Sequence, residues 1–323
     1  MLLKKKNILM MLGMMLCFIL VVFFFSNRNT PSSGGTKIQA ALNIAGNHAS
    51  KKTVKKESIS MKKDSLNPDS IYRAVERFRY IYEENIKGKD MKVYYSVIPD
   101  KNYFLGEESG LSTKEYEEMN AILRGNADFM EYIDITGVLS IEDYYQTDFH
   151  WRQENLEKVA KKLAGEMGVT LEAEYEVQKL DTTFYGGHQG QADQNTEPDT
   201  IYYLNNDILN QCQVYDFQND KEMSVYDMEK GQGENPYDLF LSGPVSLITI
   251  ENPNAGTDKE LIIFRDSFGS SLAPLLVEGY AKITLIDIRY LRSDMLNRFV
   301  TFEHQDVLFL YSTQVLNHSE TLK

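Results

Sequence analysis

Residues 261–288 decide the fold, and their sequence is LIIFRDSFGSSLAPLLVEGYAKITLIDI. Residues 261–264 form a short apolar run of the kind that makes a buried strand. Residues 270–280 have the pattern of a helix, and residues 282–288 again form an apolar, β-branched run. A strand, a helix and a strand in close succession predict a β-α-β unit, whose two strands run parallel in one sheet.

The same alternation extends to both sides of this unit. Towards the C-terminus, residues 293–302 suggest a helix and residues 307–311 a further buried strand. Towards the N-terminus, apolar residues at helical spacing predict a helix over residues 68–86, and residues 93–98 form a β-rich run that stops at Pro99. Alternating helices and strands predict an α/β domain with a mostly parallel central sheet, in which functional groups gather at the carboxyl ends of the strands.

The segment between these regions has a weaker pattern. Residues 112–123 and 151–167 predict helices, the second of which ends at Gly168, and residues 132–135 predict a short strand. Residues 169–235 are rich in Gln, Asn, Asp and Tyr and contain only short candidate strands, so we interpret them as an irregular insertion.

The charge distribution argues against one class of function. The 323-residue chain carries −13 overall and is 42% hydrophobic, which suits a globular protein with a core. Three lysines near the N-terminus contribute +3 and residues 26–63 contribute +7, so residues 64–323 carry −23. Phosphate backbones repel so acidic a body, and a nucleic acid is therefore not expected as a partner.

The N-terminus has the pattern of a membrane anchor. Lys4, Lys5 and Lys6 precede an uncharged apolar run over residues 8–25. At about 1.5 Å per residue this run covers roughly 27 Å, close to the ~30 Å of a bilayer core. The run lacks the small-residue cleavage site of a signal peptide, so an uncleaved anchor is favoured over a cleaved leader. The lysines weakly favour a cytoplasmic N-terminus.

Three regions follow from this pattern. Residues 1–25 are the cytoplasmic tip and transmembrane segment, residues 26–65 are a basic flexible linker, and residues 66–323 are the folded domain. This organisation predicts a single-pass protein of the cell membrane whose main domain is extracytoplasmic. Cys212 is the only cysteine of that domain, so neither an internal disulfide nor a cysteine-based metal site is expected, and no cofactor is indicated.

Ser267 lies where the strand of residues 261–264 ends and the next helix begins. Functional groups gather at this end of parallel strands, so the Ser267 hydroxyl can lie at the rim of the sheet, near the amide-rich N-terminus of the helix. Gly269 removes a Cβ where the helix and the strand must approach closely. Because Arg265 stands at the first Gly position, the pattern is not a G-x-S-x-G elbow. The simpler alternative is that Ser267 or Asp266 merely caps the helix.

Asp148 and His150 are the candidate partners of Ser267. In an extended backbone, residues two apart point to the same side. A carboxylate beside the imidazole can accept its Nδ1 proton and leave Nε2 as a base. The alternative is that Asp148 or Thr147 caps the following helix while His150 is exposed. Trp151, the only tryptophan, either fills the core or faces a substrate.

These residues lie in motifs that resemble the DHHW proteins of Gram-positive bacteria over most of residues 65–320, and the resemblance includes the N-terminal span. The motifs are IPDK at 98–101, YYQTDFHW at 144–151, RDSFGS at 265–270 and IDIRY at 286–290. The DHHW family is similar to the SGNH-hydrolase-like proteins of alginate O-acetylation, in which an Asp-x-His element precedes a serine in the sequence. The resemblance implies a three-layer SGNH-hydrolase-like α/β domain in which Ser267 is the nucleophile, His150 the base and Asp148 the residue that orients it.

One residue departs from the family pattern, because Phe149 replaces the first histidine of the motif. Alternation predicts that Phe149 points away from the site. The backbone amides of Ser267 and of one residue in 185–187 are the candidate oxyanion donors, and the alternative for this glycine-rich stretch is a plain turn. The candidate substrate-binding residues are Trp151, Gly186, Gly187 and Arg265.

The resemblance implies acyl transfer or ester hydrolysis on a cell-surface glycopolymer through this triad. It also implies that a membrane-bound O-acyltransferase partner exports the acyl group. Ser270 and Ser271, about one helical turn beyond Ser267, are expected to be dispensable. The alternative is a non-catalytic surface protein that binds carbohydrate in the same cleft, with tyrosines such as Tyr144, Tyr145, Tyr202 and Tyr203.

N-terminal sequencing of the protein extracted from membranes tests the anchor. We expect the mature chain to retain residues 1–25, because the apolar run is long enough to span a bilayer and lacks a cleavage site. A mature chain that starts after Phe25 would contradict the anchor, although not export.

Overall fold

An eight-stranded mixed sheet forms the centre of the part of the chain that the computed structural model describes, residues 65–105, 111–186 and 197–323. All of the described strands except the third and fourth belong to it. The described strands are β1 (Val93–Ile98), β2 (Glu131–Tyr132), β3 (Glu176–Lys179), β4 (Tyr202–Asn205), β5 (Gln213–Asp216), β6 (Lys221–Met223), β7 (Leu247–Glu251), β8 (Glu260–Arg265), β9 (Lys282–Ile286) and β10 (Asp306–Ser312).

The order of the strands in the sheet is β2-β1-β10-β8-β9-β7-β5-β6. The neighbours from β2 to β9 are parallel, whereas β7, β5 and β6 complete the sheet with antiparallel pairs. β3 and β4 form a separate antiparallel pair. The predicted β-α-β unit is confirmed, because β8 and β9 pair in parallel from Glu260 opposite Lys282 to Phe264 opposite Ile286.

Short helices connect the strands. The described α-helices are α1 (Pro68–Ile81), α2 (Asn102–Leu105), α3 (Thr113–Asn126), α4 (Glu157–Glu166), α5 (Asp207–Gln211), α6 (Met228–Gly231), α7 (Phe268–Leu272) and α8 (Thr313–Asn317). A π-helical turn, Tyr82–Ile86, continues α1. The described 3-10 helices are Thr136–Val138, Ile141–Asp143, Gln153–Asn155, Pro236–Leu239, Ala273–Gly279, Ser293–Arg298 and Ser319–Thr321.

The sheet separates two hydrophobic cores, as its alternating side chains require. Leu261 and Ile263 of β8 pack in one core with residues of α4 and α7. Ile262 and Phe264 of the same strand pack in the other core with residues of α1 and α3. Strands buried on both faces explain why these runs are continuously apolar rather than alternating. The prediction of an α/β domain around a mostly parallel sheet is therefore confirmed.

The helix predicted over residues 151–167 begins later than expected. Trp151 forms an antiparallel bridge with Tyr144, and the Arg152 amide donates to the Asp143 carbonyl at 2.7 Å. Since this pairing extends the backbone of residues 151 and 152, the α-helix can start only beyond it, at Glu157. His150 consequently precedes a bridge and not an α-helix.

Other elements also differ from the sequence-based assignment. The helix predicted over residues 270–280 is α7 followed by a 3-10 helix, and Pro274, which lacks an amide proton, lies near the start of the latter. The helix predicted over residues 293–302 is a 3-10 helix, Ser293–Arg298. Residues 169–235, for which only short strands were predicted, contain the short strands β3 to β6 as well as α5 and α6, and β7 had no predicted counterpart.

No helix within the described ranges is long and apolar enough to cross a bilayer. The predicted anchor, residues 1–25, and all but the last residue of the predicted linker lie outside those ranges.

Gly269 is required where α7 folds back against the end of β8. A Cβ built on Gly269 would lie 2.7 Å from Cβ of Arg265 and 3.0 Å from its Cγ. Arg265 is fully buried and cannot move aside without disturbing its own hydrogen bonds. The predicted close approach of helix and strand at this glycine is therefore confirmed.

Alanine substitutions of two helical glycines test this packing. Gly269→Ala should lower the free energy of unfolding by about 1–3 kcal/mol, because the added methyl overlaps Arg265. Gly165→Ala in α4 is the matched control, since nothing lies within 4 Å of its Cβ position, and it should raise the free energy of unfolding by about 0.5–1 kcal/mol. Urea denaturation measures both, and equal effects would contradict the packing argument.

Candidate active site

Ser267 lies two residues after the end of β8 and immediately before α7, at the carboxyl edge of the parallel strands. Its backbone is right-handed helical, with φ −60° and ψ −27°, so this position carries no left-handed strain. The neighbouring Asp266 is buried and accepts the Phe268 amide at 3.1 Å and the Ser312 amide, at the end of β10, at 2.7 Å. Asp266 therefore caps α7, while the Ser267 hydroxyl makes no capping bond and projects from the rim.

The structure brings Asp148, His150 and Ser267 together in one hydrogen-bonded chain. His150 Nδ1 lies 2.6 Å from Asp148 Oδ1, and His150 Nε2 lies 2.8 Å from Ser267 Oγ. Asp148 and His150 are 4% and 6% exposed. These distances are within the range that a base needs to accept the proton of a nucleophile.

The path of the backbone at Asp148 differs from the extended one that we expected. Asp148 Oδ1 accepts the backbone amide of His150 at 2.8 Å as well as the imidazole. An aspartate that accepts the amide two residues further on closes a tight turn. The two side chains meet through this turn and not through strand-like alternation.

Phe149 lies beside the site, and the expectation that it points away is wrong. Because the backbone turns here, its ring stays on the side of His150, with the two ring centroids 4.0 Å apart. Phe149 also packs against Phe268, at 6.0 Å between centroids. It forms part of the wall of the cleft that contains Ser267.

This cleft has a volume of about 400 Å³ and combines apolar and polar walls. Its apolar lining residues are Phe149, Phe268 and Val315. The remaining lining residues are Ser267, Arg289, Ser312, Gln314, His318 and Thr321.

Arg289, and not Arg265, is the arginine of the cleft. Arg265 is fully buried, and its Nη2 donates to the Val245 carbonyl at 3.1 Å, so its predicted contact with substrate is wrong. Arg289 lines the cleft and donates to the buried Asp287 through Nε at 2.9 Å and Nη2 at 2.7 Å. The IDIRY motif contained this residue, but the sequence offered no signal for its position.

Trp151 belongs to the core and connects the segment of His150 to the segment of Ser267. Its side chain is fully buried, so the predicted contact with substrate is wrong and the core-filling alternative is correct. The indole Nε1 donates to Ser271 Oγ at 2.9 Å and to the Phe268 carbonyl at 3.1 Å. These bonds tie the residue after His150 to the helix after Ser267.

Tyr237 was not found by sequence analysis, although it covers one face of the base. Its ring stacks on the His150 imidazole with 3.9 Å between centroids and 13° between planes. Its hydroxyl lies 2.8 Å from Ser271 Oγ, and burial raises the pKa of this phenol well above its usual value. Ser271 thus joins Trp151 and Tyr237 and has a structural role that the sequence did not indicate.

Gly186 supports Asp148 and is not a free oxyanion donor. Its amide donates to Thr147 Oγ1 at 3.1 Å. A Cβ at this position would lie 2.1 Å from Cβ of Asp148, which shows why the chain requires a glycine here. Gly187, the other predicted glycine, lies outside the described residues.

Two of the four candidate carbohydrate-binding tyrosines are core residues. Tyr144 and Tyr145 are 4% and 1% exposed, whereas Tyr202 and Tyr203 are half-buried. Within the described ranges, no group of three or more His, Cys, Asp or Glu side chains is placed to hold a metal ion.

The fold of this domain is shared with known structures. A DHHW family protein from Eubacterium siraeum DSM 15702 is 20% identical, with 80% of this chain and 88% of that chain covered and a TM-score of 0.63. PatB1 from Bacillus cereus, in its structure with a sulfonyl adduct, is 14% identical, with 78% and 91% covered and a TM-score of 0.58. The O-acetyltransferase domain of Pseudomonas putida AlgJ is 11% identical, with 77% and 84% covered and a TM-score of 0.46.

The resemblance to DHHW proteins is thus confirmed at the level of the fold. No protein-family model matches the chain, and no curated protein matches it in sequence.

Two neighbouring serines provide a test of the links around His150. Ser271→Ala should lower the free energy of unfolding by about 1–3 kcal/mol, because the buried Tyr237 hydroxyl loses its partner. Ser270→Ala should be nearly neutral, since the Ser270 Oγ is buried without a hydrogen-bond partner in the described structure. Chemical denaturation of both variants measures the difference, and a larger loss for Ser270→Ala would contradict this assignment.

Proposed function

We propose that the domain is a serine-dependent O-acyltransferase or esterase. The observation that supports this proposal is the hydrogen-bonded chain from Asp148 through His150 to Ser267, which opens into a cleft. A hydroxyl, an imidazole and a buried carboxylate in this order are the parts of a hydrolase-like triad. The sequence resemblance to the SGNH-hydrolase-like proteins of alginate O-acetylation supports the same chemistry.

In the first half of the proposed reaction, Ser267 Oγ attacks the acyl carbonyl while its proton moves to His150 Nε2. The Asp148 carboxylate accepts the Nδ1 proton and stabilises the imidazolium that forms. The tetrahedral intermediate then collapses, and His150 returns the proton to the leaving oxygen of the donor. The products of this half are an acyl-Ser267 ester and an alcohol.

In the second half, a sugar hydroxyl or water takes the place of the leaving alcohol. His150 removes the proton of this acceptor as its oxygen attacks the acyl-serine, and the proton then passes to Ser267 Oγ. A sugar acceptor gives transfer, and water gives hydrolysis. The mixed lining of the cleft suits an acyl group, which Phe149 and Phe268 can contact, and hydroxyl groups, which Gln314 and Thr321 can bind.

The negative charge of the intermediate requires donors near Ser267. We assign the Ser267 backbone amide as one of them, because it is adjacent to the attacking oxygen. Arg289 is the charged donor of the cleft, and its bonds to Asp287 fix the guanidinium before substrate arrives.

The proposal also covers the location of the enzyme and its partners. The apolar run at residues 8–25 supports a membrane-anchored enzyme with an extracytoplasmic domain. Its acceptor would be a cell-surface glycopolymer, and a membrane-bound O-acyltransferase would supply the acyl group.

Hydrolysis of an aryl acetate by the purified protein tests the catalytic step. Ser267→Ala should lower the rate on the order of 10⁴- to 10⁶-fold, because the members of a triad act as a unit. His150→Ala should be nearly as damaging, and Asp148→Asn less so, since the base remains. Ser270→Ala is the matched control and should retain the wild-type rate.

The same preparations separate catalysis from carbohydrate binding. The proposal predicts that Ser267→Ala keeps its fold and any affinity for glycopolymer. Wild-type protein that shows no more esterase activity than Ser267→Ala with any short acyl donor, yet binds glycopolymer equally well, would contradict catalysis and favour the binding protein.

A further inference from the structure

The backbone of residues 145–150, which we call the acid–base turn, is held by two charged side chains from distant parts of the sequence. The first is Lys101, whose Nζ donates to three carbonyls of the turn. The distances are 3.2 Å to Tyr145, 3.0 Å to Gln146 and 3.1 Å to Asp148. An ammonium group has three donors and no acceptor, so this arrangement uses its full capacity.

Asp199 binds the amide side of the same turn. Its carboxylate accepts the Gln146 amide at 2.9 Å and the Thr147 amide at 2.6 Å. It also accepts the Thr147 hydroxyl at 2.6 Å, and that hydroxyl in turn accepts the Gly186 amide. The carbonyls of Tyr145, Gln146 and Asp148 and the amides of Gln146 and Thr147 therefore have charged partners.

Lys101 is itself fixed to the edge of the sheet that bears Ser267. It follows β1 by three residues, and the intervening Pro99 accepts the Tyr144 hydroxyl at 2.7 Å. Asp100 Oδ2 accepts Thr313 Oγ1 at 3.3 Å, at the start of α8 beside the cleft. The ammonium group thus connects the acid–base turn to the same strands that position the nucleophile.

The electrostatics of Lys101 suit this function. Burial lowers the pKa of its ammonium group, and the nearby carboxylates of Asp148 and Asp199 oppose that effect by favouring the charged form. A cation in the field of two carboxylates, with its protons donated to three carbonyls, resists displacement from the turn.

We propose that Lys101 and Asp199 are positioning residues, which hold the acid–base turn from its carbonyl and amide sides and so keep His150 within reach of Ser267. This inference rests on the proposed function, because the turn needs to position His150 only if His150 acts as the base. Neither residue lines the cleft, so both act through the turn and not on the substrate. A displacement of about 1 Å in a catalytic group can lower a rate by about 10²-fold, which makes such support necessary.

The test compares lysine variants of the full-length protein. Lys101→Met keeps an unbranched apolar side chain that is one atom shorter but removes all three donors, and we expect kcat for an aryl acetate to fall by about 10- to 10²-fold with KM nearly unchanged. Lys101→Arg keeps the charge and donors and should recover a substantial part of kcat. A merely structural residue would not give this split between kcat and KM or this rescue.

Lys158→Met is the matched control. Lys158 Nζ binds the buried carboxylate of Asp143, at 2.7 and 2.8 Å, two residues before the turn, but contacts no carbonyl of the turn. This variant should lose stability and keep the wild-type kcat. If Lys101→Met fails to fold, Asp199→Asn provides the same test from the amide side, with the same expected fall in kcat.

A second measurement does not depend on activity. In protein labelled at its histidines, the Nδ1 proton of His150, held at 2.6 Å from Asp148, should give a downfield, exchange-protected NMR signal. We expect this signal to weaken or vanish in Lys101→Met and to persist in Lys158→Met. If the wild-type protein is inactive but the signals follow this pattern, the proposed function is overturned and the positioning of the turn is not. Folded Lys101→Met with unchanged kcat and an unchanged signal would overturn the positioning proposal.

Discussion

The hydrogen bond between the Asp148 carboxylate and the His150 imidazole is the interaction on which the rest of the site depends. A carboxylate that is 4% exposed is costly to bury unless its oxygens accept hydrogen bonds. Asp148 Oδ1 accepts both the amide and the Nδ1 proton of His150, so the turn that satisfies the buried charge also directs Nε2 towards Ser267. Gly186 packs against the other side of Asp148, and no larger residue fits there. One interaction therefore makes the burial of Asp148 tolerable, closes the turn and orients the His150 imidazole.

The sequence predicted the centre of the fold because the central strands are buried on both faces. Runs such as residues 261–264 are continuously apolar, and only a strand covered by helices on each side produces that pattern. The antiparallel end of the sheet was harder to predict, because β5 and β6 are short and partly exposed and carry no continuous apolar run. The late start of α4 was missed for a different reason, since the bridge between Tyr144 and Trp151 overrides helical spacing that is otherwise correct.

The residues of the proposed triad could be predicted from sequence, but the residues that support them could not. Ser267, His150 and Asp148 lie in local motifs whose chemistry is specific enough to suggest a triad. Tyr237 stacks on the imidazole, yet an isolated tyrosine in a 3-10 helix gives no sequence signal. The error at Phe149 arose because strand-like alternation was assumed where Asp148 closes a turn. Side chains from either side of such a turn are placed by tertiary contacts, which a single sequence does not contain.

The most direct measurement of the central claim is the site of covalent modification by a sulfonyl fluoride. A serine whose proton is removed by a neighbouring imidazole reacts with such a reagent, whereas an ordinary serine hydroxyl does not. We predict one sulfonyl group per chain, found by peptide mass spectrometry on Ser267 and lost in His150→Ala. Unmodified protein, or modification of Ser267 to the same extent with and without His150, would contradict the claim that Asp148 and His150 activate Ser267.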